Sequence, residues 1–369
     1  MKYKISRMAA VCILSLLAFL AVSCASWPQK PSKSKTLLAH PEIRPDSPDP
    51  FGRAIWNVKM NTPLVRKYIE PNASNSTAFS SAADIIVKGQ CFIDGHEFYV
   101  IYDLAAVYRT DDNHFRIRFS IFDITKNISY YDEFLWQPTE DKAGLLLSFD
   151  DDYWNTWRQY LYMLDNFNAK VTFFVQGSIE QEANTDLPKV SSLADFCALA
   201  LSRGHDLGFH TVNHYDLTKV SPETFNSETI EAAGAFSRAG IPFSAFAFPF
   251  GFSNPSIRET LAPVFPTTRG YGTNIRFYNT ETIRSGYIIS KAIDNIVYRD
   301  NNRYEHTILM ILITAKFLGD IIVPFTTHDI SDQADWGIKP GRLEYLLETA
   351  RHLRLNFYTY RAISGLAGN

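Results

Sequence analysis

Carboxylates and imidazoles recur in this chain directly after short apolar runs. Gly144–Phe149 leads into Asp150-Asp151-Asp152, Asp206–Phe209 leads into His210 with His214 four residues on, and a run from Val323 ends in His328-Asp329. Another apolar run stops in Phe248-Pro249-Phe250-Gly251. Three adjacent aspartates are costly unless something cationic compensates them, because like charges raise one another's pKa. A bound divalent ion would supply that charge. A solvated acidic turn, with Asp152 as N-cap of a helix from Trp154, is the other reading. If His210 opens a helix, His210 and His214 share one face with Cβ atoms about 6 Å apart, and both imidazoles reach one metal. A carboxylate from another strand end would complete a trio and leave positions open for water and substrate, as catalytic zinc sites require. An isolated H-x-x-x-H pair carries little weight. The acidic strand end beside it is what points to a metal.

The elements that must position these groups follow from the pattern after residue 143. Apolar runs at Gly144–Phe149, Val171–Val175, Asp206–Phe209, Phe243–Phe248, Ile321–Phe325 and Asn356–Tyr360 alternate with helix-like segments Trp154–Phe167, Leu193–Ser202, Pro222–Ala239 and Arg342–His352. Repeated strand–helix units argue for a parallel sheet or an α/β barrel. In a parallel barrel the chemistry gathers at the C-terminal strand ends, where the aspartates and histidines fall. Thr307–Leu318 is apolar but only about a dozen residues, short for a membrane span and suited to a buried helix.

Residues 85–136 read differently. Phe115, Ile117, Phe119 and Ile121 alternate with Arg116, Arg118, Ser120 and Phe122, the period of a half-buried strand. Cys91–Ile93 and Phe98–Tyr102 are two more strands, split by the hairpin signal Asp94-Gly95, and Asp111-Asp112-Asn113 marks another turn. Residues 51–137 are therefore predicted to form a small antiparallel β domain, a sandwich. Its aromatics, such as Tyr99, Tyr102 and Trp136, fill a core or else stack on sugar rings.

The N-terminus is an address. Lys2, Lys4 and Arg7 precede an apolar stretch, Met8 to Val22, which suits a signal peptide better than a span. It ends Leu20-Ala21-Val22-Ser23-Cys24, small residues before a cysteine, as in a bacterial lipobox. Residues 1–23 are thus expected to be a lipoprotein signal, with cleavage leaving Cys24 to carry lipid and to tether the protein to the membrane at the bacterial cell envelope. An ordinary secretory signal beside an incidental cysteine is the other reading. Residues 24–50, with Pro28, Pro31, Pro41, Pro45, Pro48 and Pro50, read as a tether. The chain has 369 residues, 36 Lys plus Arg against 39 Asp plus Glu, and four cysteines. That balance argues against a nucleic-acid partner, and the cysteines are too few for a disulfide scaffold. Cys91 and Cys197 read as buried apolar residues, although an oxidising compartment would permit pairing.

Taken together, the strand-end motifs are similar to those of the polysaccharide deacetylase family, the NodB-homology or carbohydrate esterase family 4 domain. Ser148-Phe149-Asp150-Asp151 resembles its T/S-F-D-D motif, Gly204–His214 its G-H-E-I-G-N-H-T-x-x-H motif, and Lys170–Gly177 the strand between. Phe246–Gly251 resembles the third motif and Val323–Asp329 the last, in the family's order, over about residues 143–369. The resemblance implies a distorted (β/α) barrel of seven or eight units and removal of N-acetyl groups from an amino-sugar polysaccharide. It implies a divalent metal, zinc first with cobalt, nickel, manganese or iron as alternatives, held by Asp151, His210 and His214. Asp150 would be the general base and His328 the general acid. The turn at Pro249 and Phe250, through the Phe250 N–H, would meet the oxyanion. His205 matches a family position and reads as structural.

Three departures qualify the resemblance. Many relatives have arginine where this chain has Ala247, an arginine that orients the catalytic aspartate; Arg269 is the candidate substitute. The glycine usual after the two aspartates is Asp152. The family's fourth motif, with an aspartate that positions the catalytic histidine, has no clear counterpart before His328, so Asp294 or Asp329 would have to serve. Asp332–Trp336 has the form D-x-x-D-W but lies after His328 and reads as coincidence. A non-catalytic carbohydrate-binding lipoprotein on a degenerate domain, and an O-acetyl esterase, are the alternative functions.

Overall fold

The computed structural model describes residues 42–60, 65–69, 76–110, 114–180, 192–280, 283 and 286–365. The expected signal segment with Cys24, residues 24–41 of the expected tether, and the expected turn at Asp111-Asp112-Asn113 lie outside the described residues. Two compact units divide the chain. One takes in residues up to Lys67, Lys88–Asp103 and Ile117–Leu135; the other takes in Tyr68–Val87, Leu104–Arg116 and Trp136–Asn369.

Helix α1 (Pro50–Met60) precedes strands β1 (Arg66–Ile69), β2 (Ser76–Phe79), β3 (Val87–Ile93), β4 (His96–Arg109), β5 (Phe115–Asp123) and β6 (Ile128–Trp136). Strands β1-β3-β4-β5-β6 form a five-stranded antiparallel sheet. The period-two pattern is realised on β5, where Phe115, Ile117, Phe119 and Ile121 are all buried. Asp94 and Gly95 turn the β3–β4 hairpin with φ of 50° and 80°, the left-handed pair that a two-residue turn requires. Among the described residues the predicted sandwich is not found. This is one sheet, and α1 covers it, with Phe51 against Phe98 at 5.7 Å between ring centroids. The second sheet expected from apolar spacing is supplied by a helix because Phe51, Ala54, Ile55 and Val58 all turn inward from α1. Cys91 and Cys197 are both free and buried.

The second unit is a closed parallel barrel. Its strands are β7 (Gly144–Asp151), β8 (Thr172–Val175), β9 (Asp206–Phe209), β10 (Ala245–Ala247), β11 (Thr267–Gly272), β13 (Tyr287–Ala292) and β14 (Ile321–Thr327), and β14 pairs back onto β7. Strand β12 (Ile275–Asn279) runs antiparallel to β14, and β2 runs antiparallel to β12. A short ladder joins β15 (Asp329–Ile330) to β16 (Gly337–Ile338). β17 (Asn356–Tyr358) takes only Gly144–Leu146 of β7, while β8 takes Ser148–Asp151. β17 thus occupies the N-terminal half of the β7 edge that β8 leaves open.

The helices are α2 (Trp154–Asn166), α3 (Leu193–Ser202), α4 (Pro222–Asn226), α5 (Ala232–Arg238), α6 (Pro255–Leu261), α7 (Asn301–Leu318), α8 (Pro340–His352) and α9 (Tyr360–Gly365). Two differences from the sequence reading matter. The segment read as one helix, Pro222–Ala239, contains a π turn, Ser227–Glu231, between α4 and α5. The N-cap of α2 is Tyr153, without a side-chain cap, so Asp152 is not the cap. Among the described residues no helix is long and apolar enough to cross a membrane.

Candidate functional site

The C-terminal ends of β7, β9 and β14 carry the residues that the sequence singled out. Asp151 closes β7 with φ of 83°, a region non-glycine residues avoid. Its Oδ1 lies 3.3 Å from His210 Nε2 and 3.4 Å from His214 Nε2. The three ligand atoms lie within 4.8 Å of one another. Asp151 Oδ1 is buried without a hydrogen-bond partner among the described residues. One carboxylate, its buried oxygen unsatisfied and faced by two imidazoles, makes a donor set that fits a divalent cation.

His210 and His214 do not share a helix. The segment after β9 is a tight loop in which Thr211 and His214 both take positive φ, 67° and 57°. The loop folds the two rings to 4.9 Å between centroids, so the juxtaposition comes from backbone curvature and not from helical period. Left-handed conformations of this kind cost of order 1–3 kcal/mol each and persist where the surroundings enforce them. The enforcing groups are visible. His214 N donates to Thr211 Oγ1 at 3.0 Å. The buried Glu228 accepts from Val212 N at 3.0 Å, Asn213 N at 2.8 Å and Asn213 Nδ2 at 2.5 Å. Glu228 belongs to the π turn, and π bulges recur at functional sites because they re-aim a side chain. His210 is fixed by Nδ1 against the Ala247 carbonyl at 2.9 Å, which leaves Nε2 toward Asp151. Gly208 permits this packing, since a Cβ there would overlap the Phe174 ring. Burial would raise the Asp151 carboxyl, but contact with His210 and the charges of His210, His328 and His214 outweigh it and hold it at about 2.

Asp150, fully buried, receives the Arg269 guanidinium at 2.5 Å from Nη2 to Oδ2. Arg269 is fully buried as well and lies over the Phe174 ring at 5.0 Å. Its Cα partner in the adjacent strand is Ala247. The arginine thus enters from β11 at the level where the resemblance expects it on β10. His328 Nδ1 meets Asp294 Oδ1 at 3.0 Å, and the same oxygen accepts from His328 N at 3.1 Å and Thr327 Oγ1 at 2.8 Å. Burial would lower the His328 imidazole, but Asp294, with smaller contributions from Asp150 and Asp151, raises it to about 9. Asp329 does not reach His328; its Oδ1 accepts from the Ile330 amide.

Pro249 is buried, and Phe250 turns with φ of 58° so that its exposed ring lies 4.5 Å from the His214 ring. His205 packs edge-on against Phe173, with its Nδ1 3.4 Å from Val171 N, away from the trio. Burial lowers it to about 4. Four neighbours were not assigned from sequence. Trp336 is 45% exposed and stands 5.4 Å from the His328 ring, held there by the β15–β16 ladder. Tyr271 lies 6.2 Å from that ring, and Trp157 Nε1 donates to the His328 carbonyl at 2.8 Å. Glu228 is the fourth. Only Trp336 left a trace in the sequence, in the D-x-x-D-W string.

Residues 137–263 match the family model "Polysaccharide deacetylase". The match supports a NodB-like polysaccharide deacetylase domain in this segment. It includes Asp150, Asp151, His210, His214 and the Phe250 turn, and ends before Arg269, Asp294 and His328. The chain is also similar to a bifunctional xylanase/deacetylase of Pseudobutyrivibrio xylanivorans, 29% identical over 124 residues, which are 33% of this chain and 19% of that protein. The match therefore spans about a fifth of that relative's length. Among solved structures, the chitin deacetylase of Colletotrichum lindemuthianum is 17% identical with a TM-score of 0.44 over 63% of this chain and 90% of that one. A peptidoglycan deacetylase of Bacillus subtilis is 16% identical with a TM-score of 0.42, over 61% and 91% respectively.

Proposed function

We propose that this protein is a metal-dependent deacetylase that hydrolyses N-acetyl groups of a cell-envelope or extracellular polysaccharide. The observation that carries the proposal is the convergence of Asp151, His210 and His214 within 4.8 Å, flanked by Asp150 and His328. Asp151, His210 and His214 would hold the ion, zinc by donor type, with cobalt, nickel, manganese or iron as alternatives. When bound, a divalent ion polarises an acetamide carbonyl and makes a water acidic enough to be deprotonated near pH 7.

The chain's own groups supply the proton traffic. Asp150 takes the proton of the attacking water as its oxygen bonds to the carbonyl carbon, and Arg269 fixes the receiving carboxylate. The Phe250 turn offers a backbone N–H to the oxygen that gains charge. As the C–N bond breaks, His328 gives a proton from Nε2 to the departing amine, because Nδ1 is engaged by Asp294. A group held near 9 is protonated at neutral pH, the state an acid needs. Exposed Phe250, Phe252 and Trp336 offer apolar faces for sugar rings. Arg269 on Asp150 answers the objection raised by Ala247 and weighs against a degenerate, purely sugar-binding domain. Lipid attachment at Cys24 would place this activity at the envelope membrane.

The test is acetate release by the full chain, loaded with zinc or cobalt, from peptidoglycan and from β-1,4 and β-1,6 N-acetylglucosamine oligomers. Chelated protein and Asp150→Asn are the controls. Release that both controls abolish, with metal retained in Asp150→Asn, is the expected result. Release from O-acetylated substrates alone would make the protein an esterase. A metal-loaded protein that binds these sugars and releases no acetate would be a binding module.

A further inference from the structure

The barrel unit contains a cavity of about 410 Å³ whose charged lining has one sign. Lys291, Arg303 and His306 line it together with Thr273, Tyr298 and Thr307, and among the described residues no carboxylate does. Lys291 lies near the C-terminal end of β13, opposite Phe325 of β14, and is only 5% exposed. Its Nζ donates to the Thr273 carbonyl at 2.6 Å and stands 5.4 Å from the centre of the Tyr298 ring. A carbonyl and a ring face are weak compensation for a buried ammonium, and buried charges are ordinarily paired. Lys291 has no carboxylate partner among the described residues.

The other groups add to this imbalance. Arg303 and His306 project from the first turns of α7, and Arg303 makes no ion pair among the described residues. The Tyr298 hydroxyl is buried without a hydrogen-bond partner among the described residues. Asp84 accepts from the hydroxyls of Ser80 and Ser81, which line the cavity, Asp294 is held by Thr327 and His328, Asp300 accepts from the Arg303 amide, and Glu305 is not among the lining residues. Burial, with a smaller push from Arg303, lowers the Lys291 ammonium to about 8. A bound anion would reverse that displacement.

We propose that this cavity is a binding site for a phosphate ester, held by Lys291, Arg303 and His306 with Thr273 and Thr307 around them. Three basic side chains and two hydroxyls exceed what one carboxylate can use, whereas a phosphate dianion has three oxygens to engage them. At about 30 Å³ per water, the space is larger than a lone phosphate needs and leaves room for the group that bears it. β13 ends at Ala292, one residue after Lys291 and two before Asp294, which holds His328, so the cavity lies at the same end of the barrel as the candidate catalytic site. A soluble sugar phosphate and a phosphate carried on a polymer share this chemistry.

The experiment is calorimetric titration of the full, detergent-solubilised, chelator-treated chain with inorganic phosphate, glycerol 3-phosphate, a glycerol phosphate polymer and acetate. Glycerol 3-phosphate is expected to bind at least tenfold more tightly than acetate. Lys291→Met and Arg303→Ala are each expected to weaken it about tenfold. Arg303 is exposed, so its variant keeps the test valid if Lys291→Met fails to fold. NMR titration of the Lys291 ε position should show its pKa rising with phosphate. Tighter binding of the polymer than of glycerol 3-phosphate assigns the source as polymer-borne, and the reverse assigns a soluble ester. The absence of phosphate binding, equal binding of acetate, or binding unchanged in Arg303→Ala would overturn the proposal.

Discussion

Replacing Asp294 by Asn removes one charge and keeps the shape of the group that holds His328. In the folded protein His328 titrates near 9 against an ordinary 6.5. That rise corresponds to about 3 kcal/mol of preference for the imidazolium. Asp294 is the leading cause of the rise, through its charge and its 3.0 Å contact, and burial acts in the opposite direction. The neutral amide would therefore remove the leading upward push and let His328 fall toward its ordinary 6.5, with only the Asp150 and Asp151 charges left to oppose burial. The alkaline limb of kcat/KM for acetate release should move down by about two units. At pH 8 the protonated fraction would fall from about nine-tenths to a few per cent, a loss of about 30-fold in rate, with a much smaller loss below pH 6. NMR titration of the His328 ring in the chelated chain gives the shift directly. A folded-state pKa raised above the unfolded value stabilises fully below about pH 6.5, and that contribution disappears as pH rises through about 9. The stability difference between wild type and Asp294→Asn should therefore change as pH rises from about 6.5 through about 9 and level off beyond it. An alkaline limb and a ring titration that stay within half a unit of wild type would refute the reasoning.

Three further outcomes are expected. Arg269→Ala strands the fully buried Asp150 carboxylate, so urea unfolding should show a loss of about 3–5 kcal/mol together with loss of turnover. Adding Ala247→Arg should recover part of both, because the two positions are Cα partners across β10 and β11. Glu228→Ala releases the Val212 and Asn213 amides that hold the His214 loop, and calorimetry should find zinc affinity lowered about 10–100-fold with the fold retained. Chelation should lower the Tm measured by circular dichroism, since a ligand at 100 times its Kd stabilises by about 2.7 kcal/mol; a Tm indifferent to zinc would mean that the trio holds no ion.

Local pattern was readable where burial and period agree. Strand β9 has the bounds its apolar run suggested, and β7 and β14 extend theirs by two residues into their polar ends. Strands β11 and β13 were not read as strands, because Thr267–Gly272 and Tyr287–Ala292 carry Arg269, Ser290 and Lys291 in a sheet that is buried on both faces. A buried arginine or lysine looks like surface until its partner is known. The sandwich reading failed for a related reason: alternation shows that one face of a sheet is covered, not whether a sheet or a helix covers it.

Residue types, their order and their place at strand ends follow from the chain alone, since period, turn chemistry and adjacent charge are local properties. Which groups meet is a property of the fold. Arg269 reaches Asp150 across 119 residues and His328 reaches Asp294 across 34. His210 and His214 come together through two left-handed residues and a glutamate from a π turn. Parallel pairing joins segments that are distant in sequence, so register and loop curvature, which no local pattern encodes, select the partners and thereby the protonation states.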